Sequence, residues 1–184
     1  GNAMGLRGDI FGELEVCEEA RRIRIQTGTL ETPEGAELLL NIGDLHGKRG
    51  DLVAELAELD EARRIREKTG TLQTPKGAAL LLEIGDTKCE RGNFQGALHE
   101  YAECRKIREA TGTLETPEGA RLLMCIGYAK GKQGDLDGEL AAYHEARKIR
   151  EKTGTLETPY GAKLLLVLGN AMGLRGDIVG ELEV

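Results

Sequence analysis

The chain has 184 residues and a net charge of −7, with 40% hydrophobic and 31% charged residues. That balance excludes a disordered chain and argues against a nucleic-acid or anionic-membrane partner. Aromatics are only 3% and tryptophan is absent, so the core must be aliphatic; no apolar run reaches membrane-span length or reads as a signal peptide.

One motif orders everything that follows. Thr32-Pro33-Glu34-Gly35-Ala36 returns with prolines at Pro75, Pro117 and Pro159, a step of 42 residues. A fixed period of this size marks a repeat array, in which each unit contacts mainly its neighbours. The chain is therefore expected to be a single array. It comprises a partial unit at 1–30, full units at 31–72, 73–114 and 115–156, and a partial unit at 157–184. Gly1-Asn2-Ala3-Met4 resembles a cloning scar, but the same letters return at Gly169-Asn170-Ala171-Met172, so they belong to the repeat.

Each full unit reads as two helices. In the first full unit Thr32 is the expected N-cap and Pro33 the first helical residue. The hydroxyl accepts an orphan amide, and proline lacks the amide that would be wasted there. Leu38, Leu39, Leu40 and Ile42 wrap most of the helix, which must then be packed on several sides. Gly50-Asp51 is the expected turn, with Asp51 capping the next helix. It returns at Gly8, Gly92, Gly134 and Gly176. The second helix runs from about Leu52 to Lys68, with Leu52, Leu56, Leu59, Ala62 and Ile65 on one face. Thr69-Gly70 ends it, and the short connections force antiparallel neighbours.

Helical hairpins of this pattern resemble tetratricopeptide repeats. The resemblance is carried by Leu39, Ile42-Gly43, Gly50-Asp51-Leu52, Leu59 and Ala62, and in another unit by Gly92-Asn93-Phe94, Ala97-Leu98 and Tyr101. The 42-residue unit is similar to the long repeats of the kinesin light chain type. Ala62-Arg63-Arg64-Ile65-Arg66-Glu67-Lys68, followed by Gly and Thr-Pro, resembles their second helix and connecting loop. The resemblance implies an all-α, right-handed α-solenoid, or superhelix, of antiparallel helix-turn-helix repeats. One departure stands out. Glu13, Glu55, Glu139 and Glu181 occupy a place where the family usually has alanine, which only Ala97 keeps. A shifted packing register is expected from it.

Chemistry offers little. His46, His99 and His144 sit at different register positions without metal-ligand partners at helical spacing, and no cluster has zinc spacing. There is no nucleophile elbow, P-loop or dinucleotide fingerprint. No enzyme activity, cofactor or metal is expected. Cys17, Cys89, Cys104 and Cys125 lack any Cys-x-x-Cys arrangement and read as free thiols of a cytoplasmic protein. Arg-Gly-Asp at 7–9, 49–51 and 175–177 is the helix end and turn rather than an adhesion signal. The basic helix ends, such as Arg63, Arg64 and Arg66, match the helix dipole.

The informative positions are those where the copies differ. In the first helices they fall at spacings of three and four, which is one helical face. They are Glu34, Glu37, Asn41, Asp44 and Lys48; Lys76, Ala79, Glu83, Asp86 and Glu90; Glu118, Arg121, Cys125, Tyr128 and Lys132; and Tyr160, Lys163, Val167, Asn170 and Leu174. The resemblance places a concave partner-binding groove on the first helices, at Glu37, Asp44, Lys48 and their equivalents. The lysine of the family's carboxylate clamp is replaced by Leu40, Leu82, Met124 and Leu166, so carboxylate-terminal chaperone peptides are poor candidates. The small Gly5, Gly47, Gly131 and Gly173 suggest a groove that is narrow and takes an apolar or extended segment, or one that is closed by tight superhelical packing.

The expected function is a protein or peptide interaction scaffold, or a sensor module of a larger protein. The ends add another reading. Residues 1–16 and 169–184 lie four repeat lengths apart and differ only at Phe11 and Val179. The chain then reads as a window of a longer array whose ends complete each other, giving a head-to-tail homo-oligomer.

Overall fold

The computed structural model describes residues 2–182, with side chains described from 10 to 176. Among them are eight helices and no strand: α1 (Asn2–Gln26), α2 (Pro33–Lys48), α3 (Leu52–Lys68), α4 (Pro75–Glu90), α5 (Phe94–Ala110), α6 (Pro117–Lys132), α7 (Leu136–Lys152) and α8 (Pro159–Leu182). No helix among the described residues is long and apolar enough to cross a membrane. The chain divides into two compact units, Gly1–Arg91 and Gly92–Val184.

The recurring Thr-Pro stretch performs the expected task. Gly35 N–H donates to Thr32 Oγ1 at 3.2 Å, and Thr32 Oγ1 donates to the Thr29 carbonyl at 2.9 Å. One hydroxyl thus caps α2 and ties it to the preceding loop. The glycine in the motif has a second reason. A Cβ on Gly35 would stand 1.9 Å from the Leu30 carbonyl oxygen, and one on Gly119 would stand 1.8 Å from that of Leu114. The loop folds so closely over the helix start that only glycine fits. The helix ends need glycine for another cause: Gly50 and Gly70 have φ of 79° and 67°, a region closed to most side chains.

In the first unit α1 packs on α2, α2 on α3 and α3 on α4. Ala36, Leu39 and Ile42 of α2 meet a buried face of Leu59, Ala62 and Ile65 on α3. Gly43 faces Leu59 while Gly47 faces Glu55, which makes the pair antiparallel. In the second unit α5 packs on α6, α6 on α7 and α7 on α8. There Gly127 faces Tyr143 and Gly131 faces Glu139. The core holds Leu122, Leu123 and Ile126 of α6 with Tyr143, Ala146 and Ile149 of α7.

The terminal hairpins differ from expectation. The Gly-Asp turns expected at Gly8 and Gly176 do not form; α1 and α8 run through both positions. A turn breaks several backbone hydrogen bonds, and only packing of two helices offsets that loss.

Candidate functional site

None of the twenty stripe positions of the first helices is buried. Between them lie core positions such as Leu39, Ile42, Leu81, Ile84, Leu123 and Leu164. Helical spacing alone produces this division, because residues three and four apart lie on one face and the leucines fill the others.

In the first unit the face is acidic and internally paired. Asp44 and Lys48 of α2 form an ion pair at 2.7 Å. Glu37 meets Lys76 of α4 and lies 3.7 Å from Arg66 of α3. The Asp44 carboxylate holds the Lys48 ammonium above its ordinary pKa. The Lys76 hydrogen bond holds the Glu37 carboxyl below its own. Asn41, Asp44 and Lys48 also line an open hollow of about 480 Å³ with Gly12, Glu13, Val16, Cys17 and Leu45. The α1 wall of that hollow lies outside the expected set. On α4, Ala79 and Glu90 are exposed, while Glu83 and Asp86 are half-buried.

In the second unit the face is aromatic and cationic. Tyr128 of α6 is 48% exposed, with Phe94 of α5 against its edge at 6.5 Å and the Lys132 ammonium 5.3 Å from its ring centre. Arg121 is exposed and Cys125 half-buried on the same helix. On α8, Lys163, Asn170 and Leu174 are exposed and Val167 is half-buried. Tyr160 is 71% exposed, with the Arg150 guanidinium 5.9 Å from its ring centre.

Two features add to the sequence reading. The small Gly47 and Gly131 face glutamates of the neighbouring helix. A Cβ there would stand 2.7 Å from the Glu55 carboxylate and 2.3 Å from that of Glu139. The glycines make room for the glutamates of the facing helix, which explains the family departure at those positions. Burial pushes the Glu55 carboxyl above its usual value, and Glu90, Glu83 and Asp44 act in the same direction against the Thr87 hydroxyl.

The basic helix ends likewise do more than match the dipole. Arg66, Arg108 and Arg150 are buried, and their Nε atoms have no hydrogen-bond partner in the protein. Others pair between helices: Arg21 donates to Glu58 at 2.9 Å, and Arg105 to Glu145 at 2.8 Å. None of the four cysteines is in a disulfide; Cys89 and Cys104 are buried. Finally, Glu18, His46 and Glu58 come together from α1, α2 and α3. No sequence spacing marks that group, because its members lie on three helices.

No protein-family model matches the chain, and no curated protein is similar to it in sequence. Solved structures are similar in fold. The nearly identical TPR-like repeats of a kinesin light chain candidate from Podosopora anserina superpose with a TM-score of 0.79 at 18% identity, covering 97% of this chain and 84% of that one. BtubC (BKLC) from P. vanneervenii gives 0.74 at 17%, covering 79% of this chain; the chain spans only 58% of BtubC. The MamA protein gives 0.63 at 15%, covering 100% of this chain and 84% of that one. The chain therefore has the TPR-like fold, an all-α helical repeat solenoid.

Proposed function

We propose that the chain is a non-enzymatic protein-interaction scaffold. Partner binding falls on the divergent stripes of the first helices, α2 and α4 in the first unit and α6 and α8 in the second, and the partner is a protein or peptide rather than nucleic acid or membrane. One observation carries this reading: none of the twenty positions of the divergent stripe is buried, so its chemistry varies on the accessible side of the first helices. A scaffold whose outer stripe is separate from its packed positions can change its outer chemistry without cost to its packing. Tyr128 anchors the stripe of the second unit. A half-exposed aromatic with a cation beside it is the kind of group that dominates binding energy. The test is selection of a displayed random-peptide library on the purified chain. Peptides enriched on the native chain should lose at least about tenfold in affinity for the double variant Tyr128→Ala, Arg121→Ala, with helicity unchanged. Undiminished binding would place the partner elsewhere.

A second reading, head-to-tail self-association, rests on the terminal helices. Phe11, Val16, Ile23 and Ile25 of α1 are more than half exposed, as are Leu166, Met172 and Leu174 of α8. Such faces seek a covering surface, and a second copy offers one. Light scattering over a concentration series should show growth that Val16→Ser with Leu166→Ser abolishes. A strict monomer at all concentrations sinks this reading.

A further inference from the structure

We propose that Glu18, His46 and Glu58 form a binding site for a divalent metal ion of the zinc class. One donor atom from each lies within 4.8 Å of the other two. The three come from α1, α2 and α3, so the first helix of the hairpin carries its imidazole between two second helices that each contribute a carboxylate.

The polar atoms of this group are incompletely used by the protein. Glu58 Oε1 accepts from Arg21 Nη1 at 2.9 Å. Glu58 Oε2 and His46 Nδ1 are buried and have no hydrogen-bond partner. Buried polar atoms are nearly always satisfied, and these two, a carboxylate oxygen and an imidazole nitrogen, are both metal donors. Arg21 serves a supporting part. It stands 3.7 Å from Glu18 Oε1 and holds Glu58 through its other oxygen, as outer groups orient ligands in metal centres. Its charge also reduces the repulsion between the two carboxylates.

The repeat itself supports a cation at this place. One period on, the same three register positions hold Asp60, Lys88 and Glu100. There a lysine replaces the histidine, and an acidic residue keeps each of the other two places. A further period on, the acids become Ala102 and Ala142 while Lys130 remains. By register, the copy that keeps both acids carries a lysine where the first copy has His46. His46 exchanges that fixed charge for a ligand.

The donor set selects the metal class. One imidazole and two carboxylates suit zinc and neighbouring first-row ions; calcium takes six to eight oxygens and magnesium prefers octahedral oxygen and water. Donors on one tetrahedral zinc stand roughly 3.4 Å apart, so the three side chains must close slightly. Glu18, with its side chain 40% exposed, has the freedom to do so.

The test is calorimetric titration of the whole chain, cleared with chelator, using zinc ion alone and then cobalt(II) alone. One equivalent should bind. Cobalt should show visible bands of a nitrogen and oxygen site, without the near-ultraviolet band of a thiolate. Glu58→Gln and His46→Lys should each weaken binding by at least about tenfold. His144→Asn should leave it unchanged. His46→Lys keeps the assay interpretable, because Lys88 and Lys130 already occupy that register position and the variant should melt as the native chain does. Absence of binding overturns the site, as does a thiolate band or full binding by His46→Lys.

Discussion

The first helices of the two units share an interior and differ on their outer face. On α2 and α4 that face carries Glu34, Glu37, Asp44, Glu83, Asp86 and Glu90 against two lysines, Lys48 and Lys76. On α6 and α8 the only acid is Glu118; Arg121, Lys132 and Lys163 accompany Tyr128 and Tyr160. The same helix start and the same leucines support both. Packing therefore leaves the outer chemistry open, and this separation is what a repeat scaffold exploits. The interiors are not quite identical, however. The contact facing the mid-helix glycine is Leu59 in one hairpin and Tyr143 in the other.

That interior difference gives the largest expected effect. A Cβ on Gly127 would stand 2.4 Å from the Tyr143 ring, whereas one on Gly43 would stand 3.4 Å from Leu59. Tyr143 is only 2% exposed and has no room to retreat. Gly127→Ala should cost about 2 kcal/mol or more through overpacking. Gly43→Ala should be near neutral, since ordinary contact is joined by alanine's better helix propensity. Adding Tyr143→Leu to Gly127→Ala should recover most of the loss by copying the first hairpin. Calorimetric melting of the three variants checks this; equal losses at both glycines would show that the two hairpins are packed alike.

A smaller effect concerns Glu55, seated over Gly47 with Asp44, Glu83 and Glu90 around it. Its pKa in the folded chain lies above the ordinary 4.5, with burial the main cause. A raised carboxyl pKa makes its contribution to stability most favourable below the unfolded value, and that contribution is lost as pH rises through the folded one. Glu55→Gln should then melt like the native chain near pH 4 and above it at pH 7. A higher melting point for the native chain at pH 7 would contradict the burial argument.

Much of this was legible in the sequence, and the remainder was not for definite reasons. Threonine caps, proline starts and leucine spacing are local, so the helix bounds follow from the chain itself. The accessible stripe follows from helical period. The role of Gly35 in the opening motif did not follow, because the oxygen it must avoid belongs to a loop folded back over the helix. Gly47 and Glu55 face each other across a hairpin; read separately, one suggested a groove and the other a misfit. Arg66 carried a helix-end charge in the sequence and a buried guanidinium in the fold. Glu18, His46 and Glu58 converge only after three helices pack. The terminal turns failed for the opposite reason: Gly8 and Gly176 carry the right local signal, but a turn also needs two packed helices.

The smallest expected effect lies in the loops that join units. Glu31 is held by Arg64 and by Lys68 at 2.8 Å from the end of α3, and the Arg64 hydrogen bond leads in lowering its carboxyl to about 2. In the second unit Glu115 meets Lys152, and Lys148 replaces the arginine. A depressed pKa contributes stability that is present above the unfolded value near 4.5 and lost as pH falls toward 2. Glu31 is well exposed, so solvent and salt screen most of the gain. Glu31→Gln should lower the melting point at pH 7 by on the order of one degree. The gap should shrink below pH 4.5 and close near pH 2, and molar salt should also reduce it. Glu115→Gln should do less, because a lysine lacks the paired donors with which arginine grips a carboxylate. A larger loss at Glu115 would reverse that order and make the lysine contact of the second unit the stronger clasp.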